Sequence, residues 1–306
     1  MRLPRRWLAA LLIGACSAEP PAPAAAPARF YVVGRNGTRT GNHDLLPGFG
    51  VAVIEEVMLG AQRMGRTRQG RLLPMRDLEP AHPSSFRGES VTGGRLNFAW
   101  VGPSDSYLWP QPEATGKPKA RRKAHAIVHL RDETGPRDWL GVDGGWMQAA
   151  DLRRPSLAPR PNQARPHSPW IDVDLASQTL VAYEGDQPVF ATLVSTGIGK
   201  PGSTFATPRG VHPIEIKLLA ATMDNIEHDG VVPYSYEDVP HTQYIGRVAL
   251  HGAFWHDDFG KPVSHGCINV SVQDAERLFH FTLPALPNGQ TQVSASAEQS
   301  SVIRVR

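Results

Sequence analysis

The chain has 306 residues, of which 41% are hydrophobic and 20% charged. That length suits about two domains of ordinary size, and that apolar content excludes a wholly disordered polymer. A net charge of +3 gives no reason to expect a nucleic-acid partner, and two cysteines exclude a disulfide-stapled scaffold.

Residues 1–16 read as a targeting segment. Arg2, Arg5 and Arg6 make a positive start, and residues 7–15 are apolar but far short of the ~20 residues a membrane span needs. Ile13-Gly14-Ala15-Cys16 resembles a bacterial lipobox. That resemblance implies lipidation of Cys16 and a membrane anchor, on the periplasmic face of the outer membrane if the cell is Gram-negative. Residues 17–28 are rich in Pro and Ala and read as a semi-rigid tether.

Residues 29–155 carry a weak internal repeat. Gly70-Arg71-Leu72-Leu73 with Asp77-Leu78 matches Gly144-Gly145-Trp146-Met147 with Asp151-Leu152. Phe30 with Val33-Gly34 matches Phe98 with Val101-Gly102. Two copies of a short β-rich unit are expected, with strands near 51–54 and 126–130. The run Gly145-Trp146-Met147-Gln148-Ala149-Ala150-Asp151-Leu152 resembles bacterial SH3-like domains. Five basic residues fall within 117–123 and read as a solvated surface. Residues 156–169, with Pro159, Pro161, Pro166 and Pro169, read as an inter-domain linker.

Residues 170–295 read as a mainly β catalytic domain. Residues 171–175 alternate with period two, as a half-buried strand does. Strands follow at 180–183 and 189–194, a turn at 207–210, an alternating strand at 214–218 and a short apolar run at 248–250. One helix is expected over 272–281. Ser271 and Asp274 form its capping-box-like start, Val272, Ala275, Leu278 and Phe279 share a face, and Pro284 ends it. Residues 296–306 read as a tail.

The chemistry concentrates in residues 250–270. Cys267 has no partner cysteine if Cys16 is used elsewhere, and an unpaired thiol in an oxidising compartment points to a chemical role. A thiol titrates near ~8.5, so an attacking sulfur needs a base. His251 and His265 lie close by in sequence, each followed by a glycine. Gly266 lets the chain turn tightly before Cys267, and the amides of Gly266 and Cys267 are candidates for stabilising an oxyanion.

His251-Gly252, then Ser264-His265-Gly266-Cys267-Ile268-Asn269, resembles the L,D-transpeptidases of the YkuD type, with similarity over roughly 168–287. Met223-Asp224, Glu237 to Pro240, Gln243-Tyr244, Phe254-Trp255-His256 and Asp274-Ala275 add to it. The resemblance implies Cys267 as nucleophile and His251 as general base, with the Gly252 carbonyl orienting the imidazole. It also marks His265, as a residue that shapes the oxyanion turn, tunes the thiolate or meets substrate. Ser264, Asn269, Tyr244 and Trp255 are the substrate-side candidates, and Ser264 is also a candidate to hold that turn by a side-chain hydrogen bond. Asn269 stands where many relatives carry an arginine that grips a carboxylate. The cluster of His251, His256, Asp257, Asp258 and His265 invites a metal reading, but its spacing matches no compact zinc motif, and the family works without metal or other cofactor.

The expected activity is attack on a peptidoglycan stem peptide, release of a terminal D-amino acid, and transfer of the acyl group to an amine. Water or a protein amine as acceptor would make it an L,D-carboxypeptidase or an attachment enzyme. A papain-like wall peptidase is the enzymatic rival, but there the cysteine precedes the histidine. A non-catalytic cell-wall-binding lipoprotein is the rival of another class.

Overall fold

The computed structural model describes residues 29–306 except 41–42, 132–134, 137 and 226–232. The targeting segment, Cys16 and the tether lie outside the described residues. The fold is mainly β, with one α-helix among the described residues.

The repeat is visible in three dimensions. In the first unit, strand Leu72–Pro74 leads into the 3-10 turn Met75–Asp77 and strand Leu78–Pro80. In the second, strand Gly145–Gln148 leads into Ala149–Asp151 and then Leu152–Arg153. Each unit pairs its last strand antiparallel with its first, Val33 opposite Leu78 and Val101 opposite Leu152. Gly34 N donates to Asp77 O at 2.9 Å, and Gly102 N repeats this to Asp151 O at 2.7 Å. Gly70 and Gly144 both hold the left-handed conformation, at φ 80° and 86°, which glycine adopts without steric cost. Each unit buries its own small core, Tyr31, Val33, Val51, Val53, Leu73 and Leu78 in one, Ala99, Val101, Val128, Val142, Met147 and Leu152 in the other.

Two larger sheets enclose the main core. One runs in the order Gly210–Pro213, Val302–Val305, Pro169–Asp174, Thr179–Glu184, Gln187–Leu193, Glu89–Ser90. The other includes Ile268–Val270, Val248–Gly252 and Ser235–Ile245, and continues into Gly50–Leu59 of the first unit through a parallel bridge from Tyr236 to Gly50. Ile171, Leu180, Phe190 and Ile303 meet Leu250, Ile268 and Val270 between them, with Ala275 and Leu278 of the helix.

The helix spans Val272–Phe281. Ser271 caps it by accepting from Asp274 N at 3.2 Å. The Asp274 carboxylate points elsewhere, accepting from Thr192 Oγ1 at 2.5 Å and from Gly88 N at 3.1 Å.

Three expectations need correction. Residues 296–306 are no tail: Val302–Val305 is an interior strand, parallel to Pro169–Asp174 and antiparallel to Gly210–Pro213. Four residues carry too short a pattern to announce a strand; pairing on both sides, with Val302, Ile303 and Val305 buried, makes one. Residues 156–169 are docked, since Ala158 N donates to Tyr183 Oη at 2.9 Å and Ala164 is buried. The alternation over 214–218 hides a break, because one strand ends at Pro213 and the next, Ile216–Asp224, begins after the buried Ile214.

Candidate active site

Strands Val248–Gly252 and Ile268–Val270 run parallel, with Leu250 opposite Ile268 and His251 opposite Asn269. Both are short and wholly buried, which suits the middle of a covered sheet. This pairing brings His251 beside the turn that delivers Cys267. Gly266 in that turn has φ 123°, a conformation that side chains with a Cβ rarely adopt.

Two hydroxyls hold the turn. Ser264 Oγ donates to Cys267 O at 2.5 Å and accepts from Gly266 N at 3.1 Å. Thr207 Oγ1 donates to Gly266 O at 2.8 Å and accepts from Gly197 N at 2.9 Å. The Gly266 amide is engaged by Ser264, so of the two expected donors the Cys267 amide is the one for which no partner is found among the described residues. Ser264, a candidate for both the substrate side and the turn, spends its hydroxyl inside the turn.

His251 is buried, with Nδ1 3.2 Å from Gly252 O. A carbonyl only accepts, so Nδ1 carries the proton and Nε2 presents its lone pair. Burial lowers the imidazole to about 4, against the opposing pull of the Gly252 carbonyl. Burial also pushes the Cys267 thiol up, more than the Ala249 backbone and the Arg247 charge pull it down. At neutral pH the pair is a thiol beside a neutral imidazole.

Cys267, His251, Ser264, His265, Asn269 and Trp255 all line one cavity of about 120 Å³. Tyr244 is not among its lining residues, although burial and the nearby Cys267 sulfur raise its hydroxyl. His265 is exposed and stacks on Tyr234, with ring centroids 5.1 Å apart, and leans on Phe205 at 4.8 Å. Trp255 stacks on Tyr236 at 3.8 Å and tilts toward His251 at 5.8 Å. Asn269 Nδ2 lies 3.0 Å from His256 Nε2. Met223, Tyr234, Tyr236, His256 and Val263 complete the lining and were not among the expected site residues. Asp257 and Asp258 turn away from the cavity: Asp257 accepts from Ser84, and Asp258 pairs with Lys261 at 2.7 Å. A larger concavity of about 810 Å³ lies on the first unit and includes neither Cys267 nor any histidine.

Comparison with known proteins bears on this arrangement. Residues 168–294 match the YkuD, L,D-transpeptidase catalytic domain family model. These residues are the YkuD domain of the chain. A search of curated proteins gives no match. Among solved structures, a mutant L,D-transpeptidase of Enterococcus faecium is 22% identical, over 46% of this chain and 50% of that chain, with a TM-score of 0.35. An L,D-transpeptidase from Mycobacterium smegmatis is 19% identical over 74% of this chain and 94% of that chain, also at 0.35. The alignment thus spans half the length of the Enterococcus chain.

The repeated units grip the YkuD domain on both sides of the cavity. From the first unit, Arg68 pairs with Asp238 at 3.0 Å, Arg71 with Glu237, and Gln69 Nε2 donates to Thr222 Oγ1 at 3.0 Å. Phe30 stacks on Phe254 at 4.2 Å. From the second, Arg153 Nε donates to Gly260 O at 2.6 Å, and His125 Nε2 lies 3.0 Å from Phe259 O.

Proposed function

We propose that this protein is a peptidoglycan L,D-transpeptidase that works through an acyl-enzyme on Cys267. The observation that carries this reading is the placement of one thiol and one Nδ1-protonated imidazole at a single cavity inside the YkuD domain. His251 Nε2 takes the Cys267 proton as sulfur attacks the carbonyl of an L-residue joined to a terminal D-amino acid. The amide of Cys267 faces the oxyanion, and the Ser264 and Thr207 hydroxyls keep that amide oriented. The imidazolium then protonates the leaving D-amino acid as the C–N bond breaks. The thioester passes to an amine of a second stem peptide, which returns its proton to His251 and frees the sulfur. Trp255, Tyr236, Tyr234 and His265 form aromatic walls for the donor peptide. Asn269 is turned toward His256, so the amide–imidazole pair, and not a charged fork, meets polar substrate groups there.

The test is the purified full chain mixed with tetrapeptide muropeptides and read by mass spectrometry, with Cys267→Ala as control. A dimer linked between third-position residues is expected. Tripeptide with released D-alanine and no dimer would make it a carboxypeptidase or an attachment enzyme. No Cys267-dependent change would overturn the enzymatic reading in favour of a wall-binding lipoprotein. The same proposal places the protein in the cell envelope, anchored by lipid on Cys16. Cys16→Ala should move it from the membrane fraction to the soluble one, and a variant that stays with membranes overturns the anchor.

A further inference from the structure

Beside the exposed face of the helix Val272–Phe281, three metal-ligating side chains converge outside the cavity. His241 projects from strand Ser235–Ile245, while Glu276 and His280 lie one turn apart on the helix Val272–Phe281. Residues four apart on a helix stack along one face. One ligand atom from each residue lies within 4.8 Å of the other two. We infer that His241, Glu276 and His280 form a binding site for a zinc-class divalent metal ion, tying the helix to the strand.

Zinc bonds of ~2.0–2.2 Å to nitrogen and oxygen need ligand atoms roughly 3.3 Å apart in a tetrahedron. The existing spread closes to that by side-chain rotation at Glu276 and His280, both of which are exposed. His241 is the anchor, half-buried with its ring 5.4 Å from that of Phe279. Its Nδ1 is buried and has no hydrogen-bond partner among the described residues. A buried polar atom left unpaired is costly, so native structures usually give it a partner, and an ion bound at that nitrogen supplies one. Among the described residues, no hydrogen bond or ion pair engages the Glu276 or His280 side chain. The neighbouring helix residues face elsewhere: Gln273 meets Arg87, and Arg277 Nη2 donates to Ser90 Oγ at 3.0 Å.

The donor set selects the ion. Two imidazoles and one carboxylate suit zinc, nickel, cobalt or copper; calcium and magnesium prefer all-oxygen shells. Three protein ligands leave a fourth position for water.

The experiment is a zinc titration by calorimetry on the full chain carrying Cys267→Ala, which removes the competing thiol of the cavity. One equivalent is expected to bind, and adding His280→Asn or Glu276→Gln should weaken it about tenfold or more. Cobalt loaded in place of zinc should give visible absorption without thiolate charge-transfer bands, and lose it with His280→Asn. Both substitutions are at exposed positions, and an unchanged melting temperature without metal confirms that the variants fold. No binding by the Cys267→Ala chain, or binding that neither substitution weakens, overturns the site.

Discussion

A thiol raised by burial beside an imidazole lowered to about 4 does not form a resting ion pair at neutral pH. The reactive thiolate fraction then grows about tenfold per pH unit below the thiol's pKa, which lies above its ordinary value of 9.0. Alkylation of Cys267 by iodoacetamide should therefore climb steadily from pH 6 to pH 9. A plateau across that range would mean a preformed thiolate–imidazolium pair. Ser264 offers a second test, because its hydroxyl bonds both Gly266 N and Cys267 O. Ser264→Ala should lower kcat about tenfold to a hundredfold and leave KM nearly unchanged, since the oxyanion turn loosens without loss of a peptide contact. Steady-state kinetics on a muropeptide donor would show this, and an unchanged kcat would rule out the clamp. The nucleophile and base candidates were legible in the sequence because their motifs stand sixteen residues apart. Tyr234 and Tyr236 were not, since only the fold brings them to the cavity. Ser264 beside the Gly266 turn is legible as its clamp, and both bonds of its hydroxyl lie inside that turn.

At the scale of single elements, the helix is legible from residue 272 to residue 281 with Pro284 beyond its end, but the lysine that meets its last carbonyls is not. Lys217 sits on a strand whose alternation suggested a simple surface, yet it is fully buried. Its ammonium donates to Phe279 O, to Thr282 O at 2.8 Å and to Pro284 O at 2.8 Å, so it satisfies carbonyls around the helix C-terminus. Burial lowers this lysine from 10.5 to about 8. Between those values the unfolded chain binds more protons than the folded one, so stability rises with pH across about 8 to 10.5. The carbonyl acceptors favour the ammonium and oppose this shift, so the rise is at most ~3 kcal/mol. Urea unfolding at pH 8 and pH 10 should show it, and Lys217→Met should abolish the dependence while lowering stability at pH 7 by ~2–3 kcal/mol. The strand Val302–Val305 escaped notice for a related reason. Its four residues carry no turn signal and little periodicity, and only the gap between two neighbouring strands turns them into part of the core.

Across the whole molecule, the repeated units were legible as a repeat, but their grip on the YkuD domain was not, because it depends on single contacts between distant segments. One such contact is at Gly50, where strand Gly50–Leu59 bridges to Tyr236. A Cβ at Gly50 would stand 2.5 Å from Tyr236 Cδ1 and 2.9 Å from Phe254 Cζ. Both distances are too short, so these rings must move. Tyr236 stacks on Trp255, which leans toward His251, so the displacement reaches the cavity wall through two ring contacts. Overpacking of this kind typically costs ~1–3 kcal/mol. If about half of that falls on the bound donor peptide, its acylation slows about twofold to tenfold. Gly50→Ala should therefore reduce single-turnover acylation of Cys267 by a tetrapeptide donor. Alkylation by iodoacetamide, which needs no peptide groove, should change little. Leu59→Ala at the exposed end of the same strand is the control and should leave both rates alone. Equal loss of acylation and alkylation in Gly50→Ala would place the damage at the thiol itself, and no loss of either would mean that the first unit does not shape the groove.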